Sequence, residues 1–391
     1  MIRKAAGVLL VCALALGAAV CAQDFPPPAL NPFLATKSRS GWSPPLPADA
    51  QLLGMNAVTA LADLDDGAVY VETEYLRLAS TLPAMRTPSR VYPRVRESLD
   101  GLAATYPKFK TKFPDLSPSQ VAHLIAFHLE RVMAETWRLF GTTRQTYVDY
   151  AKSHELGPYM RQKGKFEVFL FDSASDYQKF ADRFTGRRSM LGQRYRTPAT
   201  DALSFLVAPP PGGARSLNKW INLVVNNHAH NLLMSEVRNS WRVPTWLDLG
   251  FAHWMEQREG FETSTYTYGE AGRQYRFASG DWRPALRALL TAARAPEFDA
   301  FFDEPSLDAY DGDRCGVAFG LVDFMIREHL GGLRAFCARL RENDTLAVRD
   351  AFREAFGTSP SVFFERWQEW ARTNYAPGGL GGLSRDPIPA K

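Results

Sequence analysis

The segment that decides the fold reads Asn226-Asn227-His228-Ala229-His230-Asn231-Leu232-Leu233, and a short gap separates it from Val243-Pro244-Thr245-Trp246-Leu247-Asp248-Leu249-Gly250-Phe251-Ala252-His253-Trp254-Met255-Glu256. On an α-helix, residues four apart differ by about 40° around the axis, so positions 226 and 230 lie on one face. Position 227 lies about 100° from position 226, whereas His228 lies about 160° from His230. The pair of His228 and His230 is therefore a poor chelate, and we expect His228 to be a surface or packing residue.

This layout resembles the gluzincin metallopeptidases, in particular the peptidase MA-like domains of secreted bacterial proteins. In that family a first helix carries His-Glu-x-x-His-x-Leu-Leu, and a later Pro-x-Trp-Leu-x-Glu-Gly-x-Ala-Glu helix brings the third zinc ligand. The resemblance covers about Ala68–Tyr375 and is sharpest over Trp220–Glu256. It implies that the first ligand, the general base, the second ligand and the third ligand correspond to Asn226, Asn227, His230 and Leu249.

The residues at these positions depart from the chemistry of the family. A catalytic zinc ion usually takes three ligands from His, Cys, Asp or Glu. Here His230 alone is a standard ligand, Asn226 offers a weak amide oxygen, and Leu249 offers none. Asn227 cannot act as a base, because an amide does not take up a proton near neutral pH. We therefore predict a catalytically inactive homologue, a pseudopeptidase with no expected cofactor.

One alternative keeps a metal. His253 lies four residues after Leu249 and so on the same helical face. In that case His230 and His253 bind zinc, and the chain is an active metallopeptidase with atypical ligands. Without metal, both histidines are polar, hydrogen-bonded residues of a semi-buried cleft. Asp248, beside the lost ligand, is expected to face solvent or to start the helix.

The resemblance implies an α+β, zincin-like fold with two lobes. Residues 57–225 form the α/β lobe with a mixed sheet, and residues 226–375 form the helical lobe. The patterns along the chain predict strands at Ala68–Leu78, Lys165–Phe171, Ala202–Ala208 and Trp220–Val225. They predict a long helix from Ser117 to Phe140 with a capping box to Gln120 and an end at Gly141, a helix through Tyr177 and Phe180, and a helix over Leu346–Trp370.

Both ends of the chain carry targeting or linker signals. Met1-Ile2-Arg3-Lys4 precedes an apolar run, and Val20-Cys21-Ala22 fits a cleavage site, so residues 1–22 are predicted to be a signal peptide. A lipoprotein anchor at Cys21 is the weaker alternative. Residues 23–56 read as a Pro-rich linker, and residues 376–391 as a disordered tail. The protein is thus expected to be periplasmic or secreted, without a transmembrane segment.

Other chemistries find little support in the sequence. A formal net charge of +4 is too balanced to indicate nucleic-acid binding. Cys315 and Cys337 would lie far apart on an antiparallel helix pair, so two separate buried thiols are favoured over a disulfide. Cys315 as a nucleophile has no histidine placed beside it by the sequence, and Tyr310 is expected to be a packing residue rather than an oxyanion donor.

Three functional hypotheses follow. In the first, a cleft floored by Asn226, Asn227, His230, Leu249 and His253 captures a peptide or protein segment without cleaving it. An extended peptide would then pair with an edge strand at Trp220–Val225, since strand addition needs only backbone groups. The second hypothesis is the metallopeptidase with atypical ligands, and the third is a structural scaffold in the envelope. The sequence identifies neither the partner nor the oligomeric state.

Overall fold

The computed structural model describes residues 51–52, 55–56, 68–105, 114–185, 193–197, 202–207, 216–238, 243–260, 281–343 and 345–376. The predicted signal peptide, the predicted linker up to residue 50 and the predicted tail after residue 376 lie outside these residues. The last part of the predicted linker contains a short antiparallel pair, β1 (Gln51–Leu52) and β2 (Met55–Asn56).

The described part of the chain has an α+β architecture, with a mixed sheet formed before most of the helices. Five strands form this sheet in the order β3-β4-β7-β9-β8. Its strands are β3 (Val69–Glu72), β4 (Leu76–Ser80), β7 (Phe166–Leu170), β8 (Gln193–Thr197) and β9 (Ala202–Val207). The pairs β4–β7 and β7–β9 are parallel, whereas the outer strands β3 and β8 are antiparallel to their neighbours. A separate antiparallel pair joins β5 (Met85–Arg86) to β6 (Asp115–Leu116).

The helices begin between β5 and β6 and dominate the chain after β9. They are α1 (Tyr92–Thr105), α2 (Pro118–Phe140), α3 (Arg144–His154), α4 (Ala174–Thr185), α5 (Leu217–Val237), α6 (Thr245–Glu259), α7 (Arg283–Thr291), α8 (Phe298–Phe302), α9 (Gly312–Glu328), α10 (Leu330–Glu342), α11 (Val348–Phe356) and α12 (Pro360–Asn374). The helical content predicted for residues 226–375 is confirmed for the described part of that range. No described helix is both long and apolar enough to cross a bilayer.

The long helix α2 forms where the sequence predicts it, and its ends follow the predicted chemistry. The Ser117 hydroxyl accepts a hydrogen bond from the Gln120 amide, and the Gln120 side chain accepts one from the Ser117 amide. This capping box satisfies two amides that a helix start leaves without partners. Gly141 ends the helix in the left-handed conformation, with φ of 64°. The helix α2 packs against β3 and β4 of the sheet and against α5.

Two strand predictions are wrong. Ala68–Leu78 is a hairpin rather than one strand, because the Thr73 hydroxyl accepts hydrogen bonds from the amides of Tyr75 and Leu76 and turns the chain there. Trp220–Val225 lies within the helix α5 and does not form a strand. A short apolar run does not distinguish a buried strand from a fully buried helix. The predicted lobe boundary at residues 225 and 226 consequently falls inside a helix.

The C-terminal helices also differ in detail from the sequence prediction. The segment Leu346–Trp370 forms two helices, α11 and α12, because Gly357 ends the first at φ of 65°. Ser359 then caps the second helix through its hydroxyl, which accepts a hydrogen bond from the Val362 amide. Cys315 and Cys337 are both buried and unbridged, as predicted.

Helix α6 is held from three sides. It packs against α5 and α9, and an added Cβ at Gly250 would lie 2.3 Å from the carbonyl oxygen of Ala318 on α9. The two backbones therefore approach so closely that only glycine fits there. At the other end of α6, Arg258 pairs with Glu135 of α2 at 2.5 Å. These contacts fix the position of α6 relative to α5.

Candidate functional site

A stripe of polar side chains runs along one face of α5. Asn218, Asn222, Asn226 and His230 follow one another at four-residue intervals, and all four are fully buried. Residues at this spacing lie one above another on a helix. Buried polar groups are costly unless they form hydrogen bonds, so a stripe of this length requires polar partners on the neighbouring elements.

Helix α6 supplies one of these partners as a buried carboxylate. The Asn226 side-chain amide donates to Oε2 of Glu256 at 3.4 Å, and Nδ1 of His253 lies 3.3 Å from the same oxygen. Glu256 and His253 have no exposed surface, and the His253 ring packs against Trp282 with centroids 4.7 Å apart. Asn226, for which the family resemblance implies the role of first zinc ligand, is therefore hydrogen-bonded to a carboxylate of the next helix.

A second contact joins the same two helices one helical turn further along α5. Nδ1 of His230 lies 2.7 Å from Oδ1 of Asp248, and both side chains are buried. Asp248 is in the first turn of α6, so the prediction of a helix-start residue is confirmed and the prediction of a solvent-facing one is wrong. Hereafter the α5–α6 seam denotes Asn226, His230, Asp248, His253 and Glu256.

The remaining positions implied by the family resemblance lie beside the seam and contribute no acid or base. The Asn227 side-chain amide donates to the Leu223 carbonyl one turn earlier in its own helix, at 2.9 Å. Leu249 has no exposed surface and belongs to the main hydrophobic core. The structure thus brings three of the five predicted cleft residues, Asn226, His230 and His253, into the seam, which is more enclosed than the semi-buried cleft that the sequence suggested for the two histidines.

The donor set does not fit a catalytic zinc ion. Of the three ligand positions that the resemblance implies, only that of His230 holds a standard zinc ligand, and His253 directs Nδ1 to Glu256. Within the described ranges, no group of three or more His, Cys, Asp or Glu side chains is arranged to hold a metal ion. The remaining family positions hold an amide and an isobutyl side chain, neither of which replaces an anionic or imidazole ligand.

His228 points away from the seam, as its helical position predicts. It is fully buried, and its ring meets Phe166 of β7 edge-on with centroids 5.1 Å apart. Of the two alternatives predicted for His228, a packing residue is confirmed and a surface residue is wrong. Burial lowers the pKa of His228 from 6.5 to about 3, so the ring is neutral in the folded protein at ordinary pH.

This buried histidine predicts an acid-sensitive stability. Below pH 6.5 the unfolded chain binds a proton at His228 that the folded chain does not bind until about pH 3. The free energy of unfolding is therefore unaffected by His228 above pH 6.5. Below pH 6.5 it decreases by about 1.4 kcal/mol for each pH unit, because the unfolded chain gains a proton there that the folded chain does not. When the pH is lowered from 7 to 5, the free energy of unfolding measured in urea should decrease by about 2 kcal/mol less for His228→Gln than for the wild type. An equal decrease in the two proteins would contradict the conclusion that His228 is neutral in the folded state.

Two other predicted candidates have structural roles. Tyr310 is buried and donates its hydroxyl hydrogen bond to the Phe301 carbonyl at 2.6 Å, and burial raises its pKa. The prediction of a packing tyrosine is therefore confirmed. The Cys315 thiol is buried and lies 3.9 Å from the Tyr310 carbonyl oxygen.

Sequence reasoning assigned no role to Glu256 and did not link Asp248 to His230. A signal for Glu256 was present, because a residue three positions after His253 lies on nearly the same helical face. The four-residue repeat of asparagines before His230 was also visible, and it indicates a helix with one polar buried face. In comparisons with known proteins, no family model matches the chain and no curated protein is significantly similar to it.

Proposed function

We propose that this chain is a gluzincin-like pseudopeptidase, with the two-lobe zincin-like architecture, that binds extended peptide segments without cleaving them. The observation that carries the proposal is the α5–α6 seam. At the place where the family resemblance implies a water-activating metal centre, Asn226 and His253 share the Glu256 carboxylate and His230 contacts Asp248. The predicted signal peptide would place this activity in the periplasm or outside the cell.

The chemistry of peptide hydrolysis has no candidate residues in this interface. A gluzincin requires a base beside the metal to take a proton from water. Asn227 at that position is an amide that donates to its own helix backbone. Glu256 is a carboxylate, but it is fully buried and contacts His253 and Asn226. Binding without turnover therefore agrees better with these residues than hydrolysis does.

Peptide binding is supported by an outer strand of the sheet rather than by Trp220–Val225, which is helical. Among the described strands, β8 pairs with β9 only and lies at one end of the sheet order. Strand β9 also contacts α5, so the edge lies one strand away from the helix that carries the seam. An edge strand presents backbone donors and acceptors that an extended peptide can use.

The first test is the zinc content of the purified chain after zinc loading and dialysis, beside a His230→Ala control. We expect neither protein to retain stoichiometric zinc, because the family positions hold one standard ligand out of three. About one zinc ion per chain in the wild type, lost in the control, would contradict the proposal. That result would favour the metallopeptidase with His230 and His253 as ligands, and peptide cleavage would then be measured directly.

A further inference from the structure

The β3–β4 turn, residues 73–75, is closed by the side chain of Thr73. The Thr73 hydroxyl accepts hydrogen bonds from the amides of Tyr75 and Leu76 at 3.2 and 3.1 Å. The same hydroxyl donates to Oε1 of Glu130 on α2. Because a hydroxyl carries one hydrogen and two lone pairs, these three bonds use its full capacity. The group that closes the turn therefore also joins it to α2.

The Glu130 carboxyl is buried at this contact, while basic side chains around the turn bind other acids. Only 1% of Glu130 is exposed. Lys165 donates to Oε1 of Glu72 at 2.8 Å, and Arg144 pairs with Glu74 at 2.5 Å. A buried charge is costly unless a cation is paired with it, so these surroundings favour the neutral acid at Glu130.

The protonation of Glu130 is coupled to the closure of the turn. Burial is the main reason that the pKa of Glu130 is raised from 4.5 to about 8. The charge of Glu74 acts in the same direction, whereas the Thr73 hydrogen bond and the charge of Lys165 act against it. A carboxyl that reaches water when the turn opens ionises near pH 4.5. The closed state is therefore fully favoured below pH 4.5 and loses about a factor of ten for each pH unit up to pH 8.

Other titratable and charged groups near this part of α2 do not change charge in the same range. Burial raises the pKa of Tyr75 in the turn, so its hydroxyl stays neutral. Arg131, the next residue after Glu130, pairs with Glu259 of α6 at 3.1 Å. On α5, burial lowers the pKa of His228 to about 3, so its ring is neutral. Among these groups, the carboxyl on α2 is the one that titrates between pH 4.5 and pH 8.

We propose that the β3–β4 turn and Glu130 form a pH-operated latch, closed while the Glu130 carboxyl is neutral and open once it is ionised. Ionisation brings the carboxylates of Glu130 and Glu74 into repulsion across the contact. It also attracts the Lys165 ammonium group, which in the closed turn donates to the Thr73 carbonyl at 2.7 Å. A lysine that turns toward Glu130 gives up this bond, so both effects loosen the turn. The latch does not depend on the proposed peptide binding.

Amide hydrogen exchange of the full chain at pH 6.5 and pH 8.5 tests the latch. Exchange times are scaled for the faster intrinsic exchange at the higher pH, so that the opening equilibrium of each segment is compared. For the peptide that covers residues 70–78, we expect the opening constant to be at least tenfold larger at pH 8.5, because opening releases the proton of Glu130. The peptide that covers α9 should change by less than threefold.

Two variants separate the latch from a general effect of pH. Glu130→Gln keeps an oxygen that accepts from Thr73 but cannot ionise, so the opening constant of its turn should agree within twofold at the two pH values. The matched control Glu369→Gln removes an exposed carboxylate of α12 and should keep the response of the wild type. Circular dichroism verifies that both variants are folded.

A third variant, Thr73→Val, keeps the test decisive if Glu130→Gln does not fold. It removes the hydroxyl, so its turn should already open at least tenfold more readily than that of the wild type at pH 6.5. A turn that stays equally protected in Thr73→Val would overturn the latch, and so would an equal pH response in the wild type and Glu130→Gln. A response of the α9 peptide as large as that of the turn would also overturn it, because the whole chain would then be unfolding.

Discussion

Replacing Glu236 with glutamine is expected to destabilise the folded protein by about 3–5 kcal/mol. Glu236 is buried near the C-terminal end of α5, the helix that carries Asn226 and His230. Its carboxylate receives hydrogen bonds from Arg161 at 3.0 Å and from Arg341 at 3.1 Å. The substitution removes the carboxylate that the two arginines share, so the buried Arg161 faces a neutral amide, whereas Arg341 keeps a contact with Glu342 at 3.5 Å.

The surroundings of Glu236 make this loss difficult to relieve. Arg161 is itself buried, and its guanidinium group lies over the rings of Tyr147 and Tyr150 at 5.4 and 4.5 Å. The Tyr147 hydroxyl donates to the second carboxylate oxygen at 2.9 Å. Burial, together with this carboxylate, raises the pKa of Tyr147, so the hydroxyl remains a donor. The guanidinium group of Arg161 therefore cannot reach water without disturbing the aromatic side chains around it.

Urea unfolding at neutral pH measures this effect. The matched control is Asp350→Asn, which breaks the ion pair between Arg353 and Asp350 at 2.9 Å on the exposed surface of α11. Exposed pairs contribute between 0 and about 1 kcal/mol, so the control should change the unfolding free energy by less than about 1 kcal/mol. A similarly small change for Glu236→Gln would show that the buried ion pair does not anchor α5.

The elements that the sequence predicts correctly are those whose ends carry local chemistry. Helix α2 is bounded by the capping box of Ser117 and Gln120 and by a left-handed glycine, all of which act within a few residues of the helix. Strand β7 is similarly evident from a five-residue segment that is apolar except at Glu167 and is preceded by Lys165. Such signals do not depend on distant parts of the chain, and they fix both the type and the limits of an element.

The elements that the sequence predicts wrongly depend on tertiary burial. Trp220–Val225 has the β-branched and aromatic composition of a strand, but it lies in a helix that is buried on nearly all sides. Full burial removes the apolar and polar alternation by which a surface helix is recognised. The helical period is visible instead in the asparagines at positions 218, 222 and 226. They indicate a helix only if buried positions are accepted as places for polar residues.

The helical period predicts which side chains share a face of α5, but it does not predict their partners. The helical spacing places Asn226 and His230 on the same face from the sequence alone. Their partners, Glu256 and Asp248, belong to another helix, and only the packing of α6 against α5 specifies which pairs meet. The degenerate metal position thus stays a prediction from the sequence, whereas the hydrogen bonds between α5 and α6 require the structure.

If the proposed gluzincin register is right, introducing Asn226→His, Asn227→Glu and Leu249→Glu is expected to give a chain that binds one zinc ion. The triple variant supplies two new ligands and a base at the positions that the gluzincin resemblance implies, and it retains His230 as the remaining ligand. The contact between His230 Nδ1 and Asp248 at 2.7 Å leaves Nε2 as the nitrogen that would bind the metal. A carboxylate on the other ring nitrogen is the usual support for a metal-binding histidine.

Stability gives a second readout that is independent of peptide cleavage. Leu249 is fully buried, so the new carboxylate at this position is costly without a cation. Zinc that binds the folded state alone stabilises it by an amount that grows with the ratio of zinc concentration to dissociation constant, about 4 kcal/mol at a thousandfold excess. The triple variant should therefore melt at a lower temperature than the wild type in the presence of a chelator and recover when zinc is added.

The matched control is Asn226→His/Asn227→Glu/Leu249→Gln, which retains the shape of the third side chain but withholds its charge. It should bind zinc at least tenfold more weakly than the triple variant, because a neutral amide is a poor substitute for a carboxylate ligand. Zinc content and thermal unfolding with and without chelator are measured on both proteins. If the triple variant is folded by circular dichroism but binds no more zinc than its control, Leu249 does not correspond to the third ligand. The register of the gluzincin resemblance would then be wrong, and the α5–α6 seam would need an origin other than a lost metal centre.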